Sequence, residues 1–178
     1  MGAYFIAFLW GKILYFTLLN AIIRKQLNMD SIDRKILAEL QVDGRLTLSE
    51  LADRVGLSVS PCHRRVKELE KTKAIVGYRT EISPEKVGLN FSALVFITIK
   101  EGDKASLAKL ELAVEDIPQI TNAQRLFGTP DYLIHVVTRD LGAFQKLYDD
   151  KLSALPGVQR LTSTIVMKDI VRARNLHF

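Results

Sequence analysis

Hydrophobic residues that follow residue 29 recur every three to four positions, with polar residues between them. This spacing is typical of helices that bury one face. The first predicted helix begins at Asp30-Ser31 and ends at Asp43-Gly44. Its apolar stripe consists of Ile32, Ile36, Leu37 and Leu40. The segment therefore predicts an amphipathic helix.

A capping box predicts where the second helix begins. The Thr47 side chain can accept the backbone N–H of Glu50, while the Glu50 side chain reaches back. Gly56 is expected to end this helix, because glycine tolerates a positive φ. A third helix should follow at once, with Ser60 as its N-cap and Pro61 as its first residue. The stripe of the second helix consists of Leu48, Leu51, Ala52 and Val55.

The third predicted helix has an apolar face and a cationic face. Its inward residues are Cys62, Val66 and Leu69. Its outward residues are Ser60, His63, Arg64, Lys67 and Lys71. Two short helices joined by a glycine-bearing turn, the second one basic, are typical of a helix-turn-helix that lays a helix in the DNA major groove. Exposed helices also carry cations simply because they face water, so the pattern alone leaves that alternative open.

The second half of the chain alternates between strand and helix patterns. A short strand is predicted over 75–82, before this half begins. We then predict strands over 93–99, 120–127, 132–138 and 158–167, and helices over 103–116 and 140–155. The order β-α-β-β-α-β is that of the ferredoxin-like fold, an antiparallel sheet with both helices on one face. Because the strands are rich in Phe, Val and Ile, the face of the sheet opposite the helices must also be covered. We therefore predict a dimer formed through this face.

The first 28 residues differ from the rest of the chain. Met1 to Ile23 is almost continuously apolar, which is long enough for a membrane anchor. The preferred interpretation is an overextended start site, because the composition changes abruptly at Met29 and the segment has no helix caps. This segment also carries much of the charge. The chain has a net charge of +5, but 1–28 contribute three cations and no acids.

Composition and motifs argue against catalysis. No pair of His, Cys or carboxylate residues has metal-ligand spacing, and no glycine-rich phosphate loop or nucleophile elbow is present. We therefore expect a protein that is not an enzyme and has no cofactor or metal. Cys62 is the one cysteine, which excludes an internal disulfide and is consistent with a cytoplasmic protein.

Motifs spread over residues 29–178 resemble the leucine-responsive/asparagine-regulator (Lrp/AsnC) family of transcription factors. In the first half they are Ile32 to Leu37, Asp43-Gly44-Arg45, Glu50-Leu51-Ala52, Val55 to Ser58, Pro61-Cys62, Arg65-Val66, Leu69-Glu70 and Ile75 to Tyr78. In the second half they are Gly128 to Leu133 and Leu155 to Val158. The resemblance implies an α+β protein. A three-helix, winged-type helix-turn-helix domain with a linker strand (29–90) precedes a ferredoxin-like βαββαβ domain (91–178) for effector binding and oligomerisation.

The resemblance also implies partners and site residues. The partners would be double-stranded DNA, a small effector that is an amino acid, and further copies of the chain as a dimer or a higher oligomer such as an octamer. Within the helix-turn-helix, 48–67, and the end of its last helix, the DNA-binding residues would be Ser58, Ser60, His63, Arg64, Arg65, Lys67 and Lys71. The effector-binding residues would be Gly128, Thr129, Asp131 and Tyr132, with Thr162 and Thr164 on a facing strand.

Physical chemistry distinguishes the roles of these cations. Arg64 can donate two hydrogen bonds to guanine, whereas Lys67 and Lys71 suit phosphates.

Asp131 can alternatively be interpreted as an ordinary hairpin residue. Two other functions stay open: an amino-acid-sensing or interaction module without specific DNA binding, and a membrane-anchored regulator.

Overall fold

The computed structural model describes residues 29–100 and 102–178. The predictions made for residues 1–28 lie outside this part of the chain. The described residues form two units, one made of 29–80 with 173–178 and the other of 81–172. Within both units, no helix is long and apolar enough to cross a membrane.

The first unit consists of three helices: α1 (Ser31–Val42), α2 (Leu48–Val55) and α3 (Val59–Lys71). The helix start at Asp30-Ser31 and the capping box at Thr47 are both confirmed. The Asp30 carboxylate accepts the N–H groups of Ile32 and Asp33, and Thr47 and Glu50 form a reciprocal capping box. Gly56 ends α2 with a φ of 73°, in the left-handed region. These local signals fix where two of the helices begin and end.

The predicted start of α3 was wrong. Ser58, not Ser60, is the N-cap, and it makes no side-chain capping bond. Ser60 and Pro61 are therefore the second and third residues of the helix. Pro61 is tolerated there because the first four N–H groups of a helix have no intrahelical acceptor. A proline thus locates the first turn of a helix without identifying its first residue.

The three helices bury one small core. It consists of Ile36, Leu51, Ala52, Val55, Cys62, Val66 and Leu69. Ile36 and Cys62 are both 0% exposed. The interpretation of Cys62 as a core residue is therefore confirmed, and burial raises the pKa of its thiol. The predicted strand over 75–82 was wrong, since these residues form no strand.

The second unit has the predicted β-α-β-β-α-β order. Its elements are β1 (Phe91–Ile99), α4 (Lys104–Glu115), β2 (Ile120–Arg125), β3 (Tyr132–Thr138), α5 (Leu141–Leu147), a π-helical turn (Tyr148–Leu152) and β4 (Val158–Ile165). The four strands form an antiparallel sheet in the order β2-β3-β1-β4. The α+β fold class is confirmed. Strands β2 and β4 end two residues earlier than predicted, and Phe127 is exposed in the loop after β2.

Both helices of this unit pack against one face of the sheet. Alternate residues of β1, namely Ala93, Val95 and Ile97, are fully buried in a core that also contains residues of α4 and α5. The intervening residues of β1 point to the opposite face, which alternation along a strand requires. Leu94 and Phe96 on that outer face are only half-buried. In a single chain, the outer face of the sheet therefore leaves apolar side chains partly exposed to solvent.

Candidate nucleic-acid and effector sites

The outward face of α3 is polar, cationic and exposed. All of Ser58, Ser60, His63, Arg64, Lys67 and Lys71 are exposed. The helix contains no acidic residue in its first turn. Its opposite side is anchored in the core by Cys62, Val66 and Leu69. The core therefore holds the helix in place while its cationic side faces solvent.

The two adjacent arginines of α3 have different environments. Arg64 is exposed and forms no ion pair within the described residues. Arg65 is half-buried, and its Nη1 donates to Asp30 Oδ2 at 2.7 Å and to Asp33 Oδ1 at 2.8 Å. These bonds raise the pKa of Arg65 and contribute to lowering the pKa of Asp30. Arg65 therefore joins α3 to the start of α1, and its guanidinium is already engaged.

Lys67 is exposed but has a partner on its own helix. Its Nζ lies 2.8 Å from Glu70 Oε2, and the other Glu70 oxygen accepts the Tyr78 hydroxyl at 3.2 Å. The hydrogen bond from Lys67 lowers the pKa of Glu70. An exposed ion pair of this kind is weak, so a phosphate can compete for the ammonium. Glu70 thus restrains Lys67 without neutralising the whole face.

The predicted effector loop, Gly128 to Tyr132, connects β2 to β3. The Asp131 backbone N–H donates to Ile97 O, and its carboxylate Oδ2 accepts the Ile99 N–H, both at 2.9 Å. Asp131 O accepts the Leu126 N–H at 2.7 Å. Asp131 therefore closes the hairpin and ties it to β1, as the alternative interpretation of this residue expected. Its second carboxylate oxygen forms no hydrogen bond within the described residues.

Tyr132 lies on the helix side of the sheet. It is 4% exposed, and its hydroxyl donates to Glu111 Oε1 at 2.8 Å. Burial, reinforced by Glu111, raises the pKa of Tyr132 to about 12. A cavity of about 230 Å³ adjoins the ring and is also lined by Glu111, Gln124 and Arg125. No sequence motif indicates this cavity, because its residues come from separate elements.

Thr162 and Thr164 are not brought together with Tyr132 in one chain. They are directly opposite Phe96 and Leu94, so they lie on the outer face of the sheet. Strand β1 separates β4 from β3 in the sheet. Within one chain, Tyr132 and the two threonines therefore lie on opposite faces of the sheet.

Comparisons with known proteins follow the same division of the chain. A family model for the AsnC-type helix-turn-helix domain matches residues 29–70. A model for the Lrp/AsnC ligand binding domain matches residues 92–176. The first match includes the exposed residues of α3 as far as Lys67 but not Lys71, and the second includes the loop and both threonines.

Individual proteins are similar over most of the chain. The Bkd operon transcriptional regulator of Pseudomonas aeruginosa is 35% identical over 80% of this chain and 94% of its own. The leucine-responsive regulatory protein of Escherichia coli K12 is also 35% identical, over 84% of this chain and 91% of its own. A transcriptional regulator of Neisseria meningitidis, solved as a complex with L-methionine, is 36% identical with a TM-score of 0.80. It aligns over 84% of this chain and 97% of that one.

Proposed function

The chain belongs to the Lrp/AsnC family of transcriptional regulators, and from that membership we propose how it reads DNA and senses its effector. It is a helix-turn-helix DNA-binding protein with a ligand-binding domain. In our proposal α3 enters the major groove of double-stranded DNA, and an amino acid modulates binding from the second unit. The protein acts in the cytoplasm, where its DNA target lies.

The exposed cationic face of α3 carries the DNA-binding proposal. Three core residues hold the helix from behind, so the face can approach a duplex without unfolding the unit. Arg64 is free of carboxylates within the described residues, and we assign it the bidentate contact to guanine. Lys67 and Lys71 contact phosphates, while Ser58, Ser60 and His63 add hydrogen bonds near the groove. Arg65 acts at the flank, as the support that joins α3 to α1.

The second unit supports a proposal for the effector. The Neisseria meningitidis relative is described as an L-methionine complex, so an amino acid is the effector class we propose. The backbone of Gly128 and Thr129 and the open oxygen of Asp131 would hold its charged groups, near Tyr132. Thr162 and Thr164 would contribute from a neighbouring subunit. A thermal-shift screen of the twenty amino acids tests this, since a ligand that binds only the folded state raises its apparent stability.

The half-buried outer face of the sheet supports a homodimer. Leu94, Phe96 and Leu133 would be covered there by the same surface of a second copy, as a two-fold interface requires. A dimer presents two α3 helices, which would bind two half-sites. Further assembly, up to an octamer, would align more of these helices along the DNA.

The DNA-binding proposal is tested by replacing one exposed arginine. The preferred duplex is first selected from a random pool with the wild-type protein. Fluorescence anisotropy then measures the Kd for this duplex and for a scrambled one at fixed salt. Losing one bidentate base contact should reduce the ratio of specific to non-specific affinity by roughly 5- to 150-fold in Arg64→Ala.

Arg34→Ala is the matched control, because Arg34 is an exposed arginine of the same unit that lies on α1. Both variants lose one positive charge, so the net charge of the protein is matched between them. Only Arg64→Ala should lose discrimination between the duplexes. An unchanged ratio in Arg64→Ala, with the oligomer intact, would contradict the assignment of Arg64 and favour a sensing module without specific DNA binding.

A further inference from the structure

A second cavity lies in the sheet-containing unit, at the opposite end of β3 from the effector loop. Its volume is about 450 Å³, which is within the usual range for small-molecule sites. Thr138 and Arg139 line it where β3 ends, and Gln119 lines it just before β2. The effector loop precedes Tyr132, at the start of β3, so the length of the strand separates the two places by roughly 20 Å.

Positive charge dominates the wall of this cavity. Three cations, Arg139, Lys146 and Lys151, line it together with one carboxylate, Asp150. Lys146 lies 3.7 Å from Asp150, in an exposed pair. Arg139 and Lys151 form no ion pair within residues 29–100 and 102–178. The cavity therefore has two uncompensated cations at its rim, which favours an anion.

The π-helical turn explains how two lysines of one helix line the same cavity. Lys146 and Lys151 are five residues apart, and in a regular α-helix they would point about 140° away from each other. The turn at Tyr148–Leu152 is wider, with the Ser153 N–H donating to Tyr148 O, five residues before it, at 2.9 Å. Part of the span from Lys146 to Lys151 therefore rotates less per residue than an α-helix, which brings the two lysines closer to one face. Such turns are frequent at functional sites.

Two further features restrict the ligand. Leu89, Ala143 and Leu147 are apolar residues of its wall. The side-chain oxygen of Gln119 is buried and has no hydrogen-bond partner within the described part of the chain. Unpaired buried acceptors are rare in folded proteins. A ligand with an N–H or O–H group can satisfy this oxygen after a rotation of the Gln119 side chain toward the cavity.

We propose that this cavity binds a small organic anion. Arg139 and Lys151 hold its carboxylate or phosphate group, the apolar wall packs against its body, and Gln119 accepts a hydrogen bond from its N–H or O–H group. This site is separate from the effector loop and does not depend on the roles proposed for it. The chain would thus have a second place at which a small molecule can bind.

Isothermal titration calorimetry on the full chain tests this with four related probes. They are 4-hydroxyphenylacetate, 4-hydroxyphenyl phosphate, the neutral 4-hydroxyphenylacetamide, and phenylacetate, which lacks the hydroxyl donor. At least one of the two hydroxylated anions should bind, and the better one identifies the anionic group that the cavity prefers. The neutral amide should bind at least about tenfold more weakly, because it lacks the charge-assisted hydrogen bonds.

Variants then locate the bound probe. Arg139→Gln and Lys151→Gln should each weaken binding about tenfold. Lys109→Gln, a matched change at an exposed lysine of α4 outside the cavity, should leave the Kd unchanged. Gln119→Leu should weaken binding of the hydroxylated probe but not of phenylacetate. The proposal is overturned if neither anion binds at about 10 mM, or if binding survives the loss of both Arg139 and Lys151 in folded protein.

Discussion

Replacing Tyr132 by phenylalanine should change how the stability of the protein responds to alkaline pH. The Tyr132 hydroxyl is buried against Glu111, and the pKa of this tyrosine rises from 10.0 to about 12 on folding. A raised folded-state pKa means that the neutral form is favoured in the folded protein. Its contribution to stability is therefore complete below pH 10 and is lost as the pH rises through about 12.

The size of this effect follows from linkage. With values of 10 and about 12, the wild-type protein should lose about 1 kcal/mol by pH 11 and about 2 kcal/mol by pH 12 through this one group. Tyr132→Phe cannot ionise, so it should not show this part of the loss. At neutral pH the same variant should be less stable by about 1 kcal/mol, because the hydrogen bond to Glu111 is gone.

Urea unfolding of both proteins between pH 8 and pH 12 provides the measurement. The difference in unfolding free energy between the wild type and Tyr132→Phe cancels the titration of the other groups. Glu111→Gln keeps an acceptor but removes the charge, so it should retain part of the alkaline loss, since burial contributes most to the shift. Parallel pH curves for the wild type and Tyr132→Phe would refute the description of Tyr132 as a buried, hydrogen-bonded phenol.

Two further predictions concern the three-helix unit. Arg65→Gln should lower the Tm by a few degrees, and by more than the control Arg54→Gln, because the ion pair between Arg54 and Glu39 is more exposed. At a temperature where both variants are fully folded, Arg65→Gln should keep the wild-type preference for the selected duplex. Loss of that preference would instead make Arg65 a base-contacting residue. Gly56→Ala should destabilise the unit by about 1 kcal/mol in chemical denaturation, because Gly56 has a positive φ. The control Gly77→Ala should not destabilise it, because Gly77 has open space around it and no positive φ. Equal effects of the two substitutions would contradict the left-handed cap at Gly56.

Features that depend on neighbouring residues in the chain were predictable. The capping box of Thr47 and Glu50 spans only four residues, and Gly56 follows directly after the apolar stripe of α2. The same local rules were too rigid at Pro61, because any of the first turn's positions accepts a residue without an N–H. They also failed for 75–82, where an extended pattern predicts a strand although no strand among the described residues pairs with it.

Features assembled from distant residues were not predictable. The bonds from Arg65 to Asp30 and Asp33 cross more than thirty positions, and nothing beside Arg65 distinguishes it from Arg64. The cavity beside Tyr132 and the cavity beside Arg139 likewise combine side chains from different strands and helices. Sequence patterns report which face of an element is polar. They do not report which charges on that face are already paired.

The position of Asp131 gives a physical route by which an effector can alter assembly. Its backbone and carboxylate bond to Ile97 and Ile99, at the end of β1 nearest the effector loop. The same strand carries Leu94 and Phe96 on the surface that we propose as the dimer interface. A ligand that hydrogen-bonds to the open oxygen of Asp131 would therefore act on β1, the strand that forms part of the proposed dimer interface. A ligand shifts an equilibrium only by its difference in affinity between two states, here two states of assembly, and that difference would arise at β1.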